Sequence, residues 1–140
     1  MQPDKSALTD LIARVEKASG PDRELDADID VALFGGETVW KQANYIMEQY
    51  PVSRRPSRGH VGGFANEAIP LYTQSLDAVE ALVERELPNH DWQVFRTVGA
   101  GWYAIIDKGH AEQHGRSEAN AAIALLLALL KAMEARGANE

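Results

Sequence analysis

Three groups of residues have side-chain types and spacings that can do chemistry. His110-Ala111-Glu112-Gln113-His114 sets two imidazoles four residues apart with a carboxylate between them. On a helix, two His at that spacing can bind one metal ion, and a Glu beside the first His can act as general base. Glu112 stands one position late for that role, and Gly109 and Gly115 bracket the run, which argues for a loop. The readings left open are a loop metal site with His110, Glu112 and His114 as ligands, and solvated loop side chains. Arg54, Arg55 and Arg58, followed by His60, form a basic stretch with no acid between residues 51 and 60. Arginine donates in a fork that suits phosphate oxygens, and Phe64 or Tyr50 can stack on a base. A phosphate- or nucleotide-binding loop, a protein contact and an exposed loop that offsets an acidic surface all fit. Asp26, Asp28, Asp30 and Glu37 match positions 1, 3, 5 and 12 of a calcium loop, but the sixth position is Val31 where the sharp turn needs Gly. Carboxylates two apart on a helix do not converge, so these are expected to form a solvated acidic helix face.

Other catalytic patterns are missing, and no catalytic residue is assigned. There is no Gly-x-Ser-x-Gly elbow. Gly59-His60-Val61-Gly62-Gly63 lacks the Gly-Lys-Ser/Thr ending of a phosphate loop. Gly99-Ala100-Gly101 precedes a strand pattern, where a dinucleotide fingerprint needs a helix. The chain has no Cys, which excludes disulfides, thiolate metal sites and cysteine nucleophiles. No cofactor is expected.

The elements that must position these residues follow from periodicity. Ser6 to Ser19 predicts a helix with a Leu8, Leu11, Ile12 and Val15 stripe, capped by Ser6 or Asp4 and stopped by Gly20-Pro21. Asp22 to Leu33 predicts a second helix ending at Gly35-Gly36, and Ser75 to Glu86 a third, capped by Ser75 and terminated by Pro88. Between them, residues 35 to 69 read as irregular. Thr38, Val39 and Trp40 can begin a strand, Tyr45 to Tyr50 suggests a short one, and Pro51, Pro56, Gly59, Gly62 and Gly63 mark a long loop. Alternation over Asp91 to Thr97 and Trp102 to Asp107, joined by Gly99-Ala100-Gly101, predicts an antiparallel hairpin with Trp92, Trp102 and Tyr103 as sheet aromatics. Lys108 to Arg116 reads as a loop. The last helix is expected from Ser117 to Arg136, with Gly137 as its stop.

That helix is apolar on every side from Ala121 to Leu130, ten residues against the ~20 of a membrane span. It must be covered on more than one face. A homodimer through Ala121 to Leu130 is the favoured cover; the rival is Phe34, Trp40 and the middle segment folding over it. Fourteen Lys and Arg against 21 Asp and Glu give a net charge of -7 in 140 residues. That argues against non-specific affinity for nucleic acid or an anionic membrane. No apolar run follows Met1, so a cytoplasmic protein is expected. The length suits one domain, residues 1–140.

Two segments resemble a known family. Pro70-Leu71-Tyr72-Thr73-Gln74-Ser75-Leu76-Asp77-Ala78 is similar to the Tyr-Thr-x-Ser-Leu-Asp-Ala element of the phage ABA sandwich domain, and Gly109-His110 before the Ala- and Leu-rich last helix resembles that family's Gly-His segment. Ser117-Glu118 stands where members tend to have Thr-Pro. The resemblance implies a sheet between two helical layers and a small phage or prophage protein; it implies no activity. Together with the amphipathic helices around a hairpin, it leads to an α/β class: a three-layer α/β/α sandwich with a small, mainly antiparallel sheet. The leading functional expectation is a non-catalytic accessory protein that binds a protein partner. The alternatives are a phosphate- or nucleotide-binding module using Arg54, Arg55 and Arg58, and a small metal-dependent hydrolase using His60, His110, Glu112 and His114.

Overall fold

Apolar stripes and side-chain caps set the helices. The computed structural model describes residues 3–42, 49–56, 64–109 and 111–138. Helix α1 (Lys5–Lys17) starts where the Asp4 carboxylate accepts the N–H of Ser6, and it buries Leu8, Leu11, Ile12 and Val15. Helix α2 (Arg23–Phe34) is capped by Asp22, which accepts from the Leu25 N–H at 3.0 Å. Helix α3 (Leu76–Glu86) is capped by the Ser75 hydroxyl and buries Val79, Leu82 and Val83. Helix α4 (Ala121–Ala138) is capped by Asn120, whose side-chain oxygen accepts the Ile123 N–H at 2.8 Å. Ser117, expected to open this helix, instead ends the preceding strand, and Gly137 lies inside the helix's last turn.

Among the described residues, six strands make two antiparallel sheets. The first joins β1 (Glu37–Gln42), β2 (Gln49–Pro56) and β3 (Phe64–Ala68) in that order. The second joins β4 (Asp91–Thr97), β5 (Gly101–Lys108) and β6 (Ala111–Ser117) in that order. The β4–β5 hairpin is the one expected from the alternation. Strand β1 contains Thr38, Val39 and Trp40, which can begin a strand, and β2 contains Tyr50 of the short strand expected there, whereas the rest of β2, β3 and β6 replace segments read as irregular or as loop; the run Tyr45 to Met47 lies outside the described residues.

The prolines that suggested a loop are tolerated for a geometric reason. Proline cannot donate to a ladder and is normally kept off central strands. Strand β2 pairs with β1 over residues 49–54 and with β3 over 52–56. Pro51, opposite Trp40, and Pro56, opposite Phe64, therefore each lie where β2 is paired on one side only.

Helix α4 packs on the inner face of the second sheet, chiefly on β6 and β5, and is flanked by α1 and α3. Helix α2 leans on α1 and on the first sheet. The result is an α/β/α three-layer architecture in which helices flank two small sheets, neither closed into a barrel. From Ala122 to Leu130 every residue of α4 is buried within one chain. A dimer through this helix needs a leucine side left in water, and from Ala122 to Leu130 the single chain leaves none. The rival account, a helix internal to a monomer, agrees with this burial, and Phe34 packs against the core, but Trp40 is 40% exposed and the cover comes chiefly from α1, α3 and the second sheet. No helix among the described residues is long and apolar enough to cross a membrane.

Candidate functional site: the open face of the second sheet

The acidic run on α2 is not the solvated face that its composition suggests. Asp28 is exposed and pairs with Arg14 at 2.6 Å. Asp26 and Asp30, one turn apart, are buried. Asp26 accepts the backbone N–H of Thr73 and the guanidinium of Arg23, each at 2.8 Å. Burial raises its carboxyl pKa above the usual 3.8, against the pull of the Thr73 and Arg23 hydrogen bonds. Asp30 pairs with Arg55 and accepts the Tyr72 hydroxyl at 3.4 Å. Burial, then the negative charge of Asp30, pushes the Tyr72 hydroxyl far up, so it stays protonated. Every member of this network has a partner within the chain, so it works as a clamp between α2, β2 and the segment before α3.

That clamp separates the arginines. Arg54 and Arg55 are consecutive on a strand and point to opposite faces. Arg55, expected on an exposed loop, is held by buried Asp30 and lies 3.4 Å from Glu67. Arg54 stays near Glu37 at 3.7 Å. Arg58 and His60 lie outside the described residues, so among the described ones no arginine cluster faces a common ligand.

Glu112 and His114 are two apart on β6 rather than on a helix or loop. Their side chains share a face, with Nε2 of His114 3.2 Å from Oε2 of Glu112, and both are more than half exposed. His110 lies outside the described residues. Among the described residues, no three His, Asp or Glu side chains stand close enough together to hold a metal ion.

The same face of the second sheet carries more. Alternation turns Trp92, Val94, Ala104 and Ile106 toward the core, and the intervening residues outward. Strand pairing then sets the outward residues in three rows. Asp91, Asp107 and Glu112 form an acidic row at one end. Gln93, Ile105 and His114 form the middle row. Phe95, Tyr103 and Arg116 form the last. Phe95 stacks on Tyr103 with centroids 5.7 Å apart and planes 8° from parallel, and the Arg116 guanidinium lies 5.7 Å from the Tyr103 ring. Arg116 is fixed further by donating from Nε to the Ala100 carbonyl at 3.0 Å. Phe95 is nevertheless 42% exposed, and no helix among the described residues packs over this face.

The fold has a known counterpart. It is similar to the crystal structure of a phage protein from Bacillus cereus ATCC 14579. The two share a TM-score of 0.50 and 18% identity over 81% of this chain and 92% of that one. At that identity the likeness is one of fold alone. No family model matches the sequence, and no curated protein matches it.

The open face was only partly visible beforehand. Sequence reasoning named Tyr103 as a sheet aromatic but passed over Phe95 and Arg116. The signal was present in the hairpin, whose second face carries Phe95, Tyr103 and Ile105 where a solvated face would be polar throughout. Arg116 has no such signal, because the sequence from Lys108 to Arg116 reads as a loop.

Proposed function

We propose that residues 1–140 form a single domain of the phage ABA sandwich type, and that the protein acts in the cytoplasm as a phage or prophage accessory protein by binding a protein partner without catalysis. One observation carries the reading: an uncovered sheet face with an ordered Phe95–Tyr103–Arg116 row at one end and an acidic row at the other. Aromatic and arginine side chains held rigid beside polar ones are the composition of protein-interface anchors. The partner such a face suits brings an apolar side chain to Phe95 and Tyr103 and a basic group to Asp91, Asp107 and Glu112. The fold shared with a phage protein supports the biological setting.

The test is affinity capture from phage-infected cells with the wild type and with a Phe95→Asp, Tyr103→Ser double variant, folding of the variant being checked by circular dichroism. A protein retained by the wild type and lost by the variant is expected. Identical retention by both would move the contact off this face.

A further inference from the structure

Strand β6 ends the second sheet: β5 pairs with one of its sides, and no described strand pairs with the other. A groove of about 700 Å³ runs beside it, between His114–Ser117 and the Glu16–Ser19 end of α1, with Leu127 and Lys131 in its lining. An edge strand invites another strand, and proteins usually blunt such edges with charge. The charges on β6 do not simply repel a second copy.

The spacing of Glu112, His114 and Arg116 is self-complementary. When β6 runs antiparallel to β6 of a second copy about a two-fold axis at His114, Glu112 stands opposite Arg116 of the second copy, and Arg116 opposite its Glu112. Gln113 then lies opposite Gly115, and His114 faces itself. All three charged or titratable residues share the outward face, so the two ion pairs form on one surface. Directly opposed unlike charges favour strand pairing, and like charges oppose it. Both groups are available for it. Glu112 is 56% exposed, and among the described residues its side chain meets the imidazole of His114 and no cation of the Lys or Arg type. Arg116 is oriented by Ala100 and Tyr103 and has no carboxylate partner among the described residues.

We propose that two copies of this chain pair through β6 in this register, joining two three-stranded sheets into one of six strands with the open faces side by side. A two-fold interface requires the same patch on both subunits to recognise itself, and the Glu112/Arg116 spacing about His114 meets that requirement. The inference does not depend on the open face binding a foreign partner.

Charge swapping tests it. Sedimentation equilibrium of the wild type should show a concentration-dependent dimer. Glu112→Arg sets Arg against Arg, and Arg116→Glu sets Glu against Glu, so each variant alone should dimerise at least tenfold more weakly. An equimolar mixture of the two should recover the dimer as a heterodimer, because each chain then meets its opposite. A wild type that stays monomeric across the micromolar range overturns the proposal. So does a dimer that neither substitution weakens, or a mixture no tighter than its components. A second readout uses the absence of cysteine. His114→Cys would place two thiols across the axis at a Cα separation that a disulfide can span. Mild oxidation should yield a covalent dimer with unchanged circular dichroism; failure to cross-link while the protein is dimeric would rule out this register.

Discussion

The backbone N–H of Thr73 donates to the buried carboxylate of Asp26 at 2.8 Å across 47 residues of chain. The Thr73 hydroxyl accepts the Asp22 N–H at 2.7 Å, and the Thr73 carbonyl accepts from the Asn120 side chain at 3.0 Å. One residue thus joins the starts of α2 and α4, two residues before the Ser75 cap of α3. The Tyr-Thr-x-Ser element that resembles the phage family serves here as a structural junction. Asp26→Ala should cost about 3 kcal/mol in urea unfolding, because it leaves the buried Thr73 N–H without its acceptor and takes the carboxylate from Arg23, which keeps the Ile69 and Pro70 carbonyls. Asp26→Asn should cost clearly less. It keeps an oxygen for Thr73, and it removes a charge that burial already disfavours. Equal losses for the two variants would contradict this account.

Arg54 and Arg55 should separate in the same assay. Asp30 is buried, and the Arg55 side chain is 22% exposed. Arg55→Ala leaves a buried carboxylate unpaired and should lose about 3–5 kcal/mol. Arg54→Ala, at an exposed site, should change stability by less than about 0.5 kcal/mol. Similar effects at both positions would mean that Asp30 does not hold Arg55 in solution.

Leu127 tests how α4 is covered. It is 3% exposed within a single chain. Leu127→Asp should therefore unfold the protein, as read by loss of helical circular dichroism, through an unpaired buried charge. A folded monomer from this variant would return α4 to an intermolecular interface.

Gly115 sets how closely α4 approaches β6. A Cβ there would stand 2.0 Å from the Ala124 carbonyl oxygen and 2.7 Å from the Ala128 nitrogen. Backbone atoms cannot swing aside as a side chain can. Gly115→Ala should cost about 3 kcal/mol, the upper part of the range for overpacking. Thermal unfolding checks it, and an unchanged midpoint would show that the helix and strand stand further apart.

His90 makes stability depend on pH. Burial, then the charges of Lys108 and Arg136, holds its imidazole below the usual 6.5, against the opposing pull of Asp107. The unfolded chain therefore takes up this proton first as the pH falls. The stability owed to neutral His90 is complete above 6.5 and declines as the pH drops toward the folded-state value. Unfolding free energy should fall as the pH drops below about 6.5, with a shallower slope in His90→Gln. Equal slopes would remove His90 from the cause.

What the sequence determined by itself was whatever neighbours in the chain decide. The Leu8, Leu11, Ile12, Val15 stripe, the Ser75 cap and the β4–β5 hairpin each rest on residues a few positions apart, where 3.6- or 2-residue periodicity and cap chemistry are local effects. Tertiary structure alone decided the rest, because the deciding atoms are far away in the chain. Asp26 and Asp30 look like a solvated face until Thr73 and Arg55 arrive to satisfy them. Pro51 and Pro56 look like loop residues until the ends of β1 and β3 leave them paired on one side only. Gly115 reads as a loop signal, yet it sits in a strand because Ala124 leaves no room for a side chain. The open face, too, exists only because β6 extends the hairpin and brings Arg116 beside Tyr103, a contact that no spacing along the chain encodes.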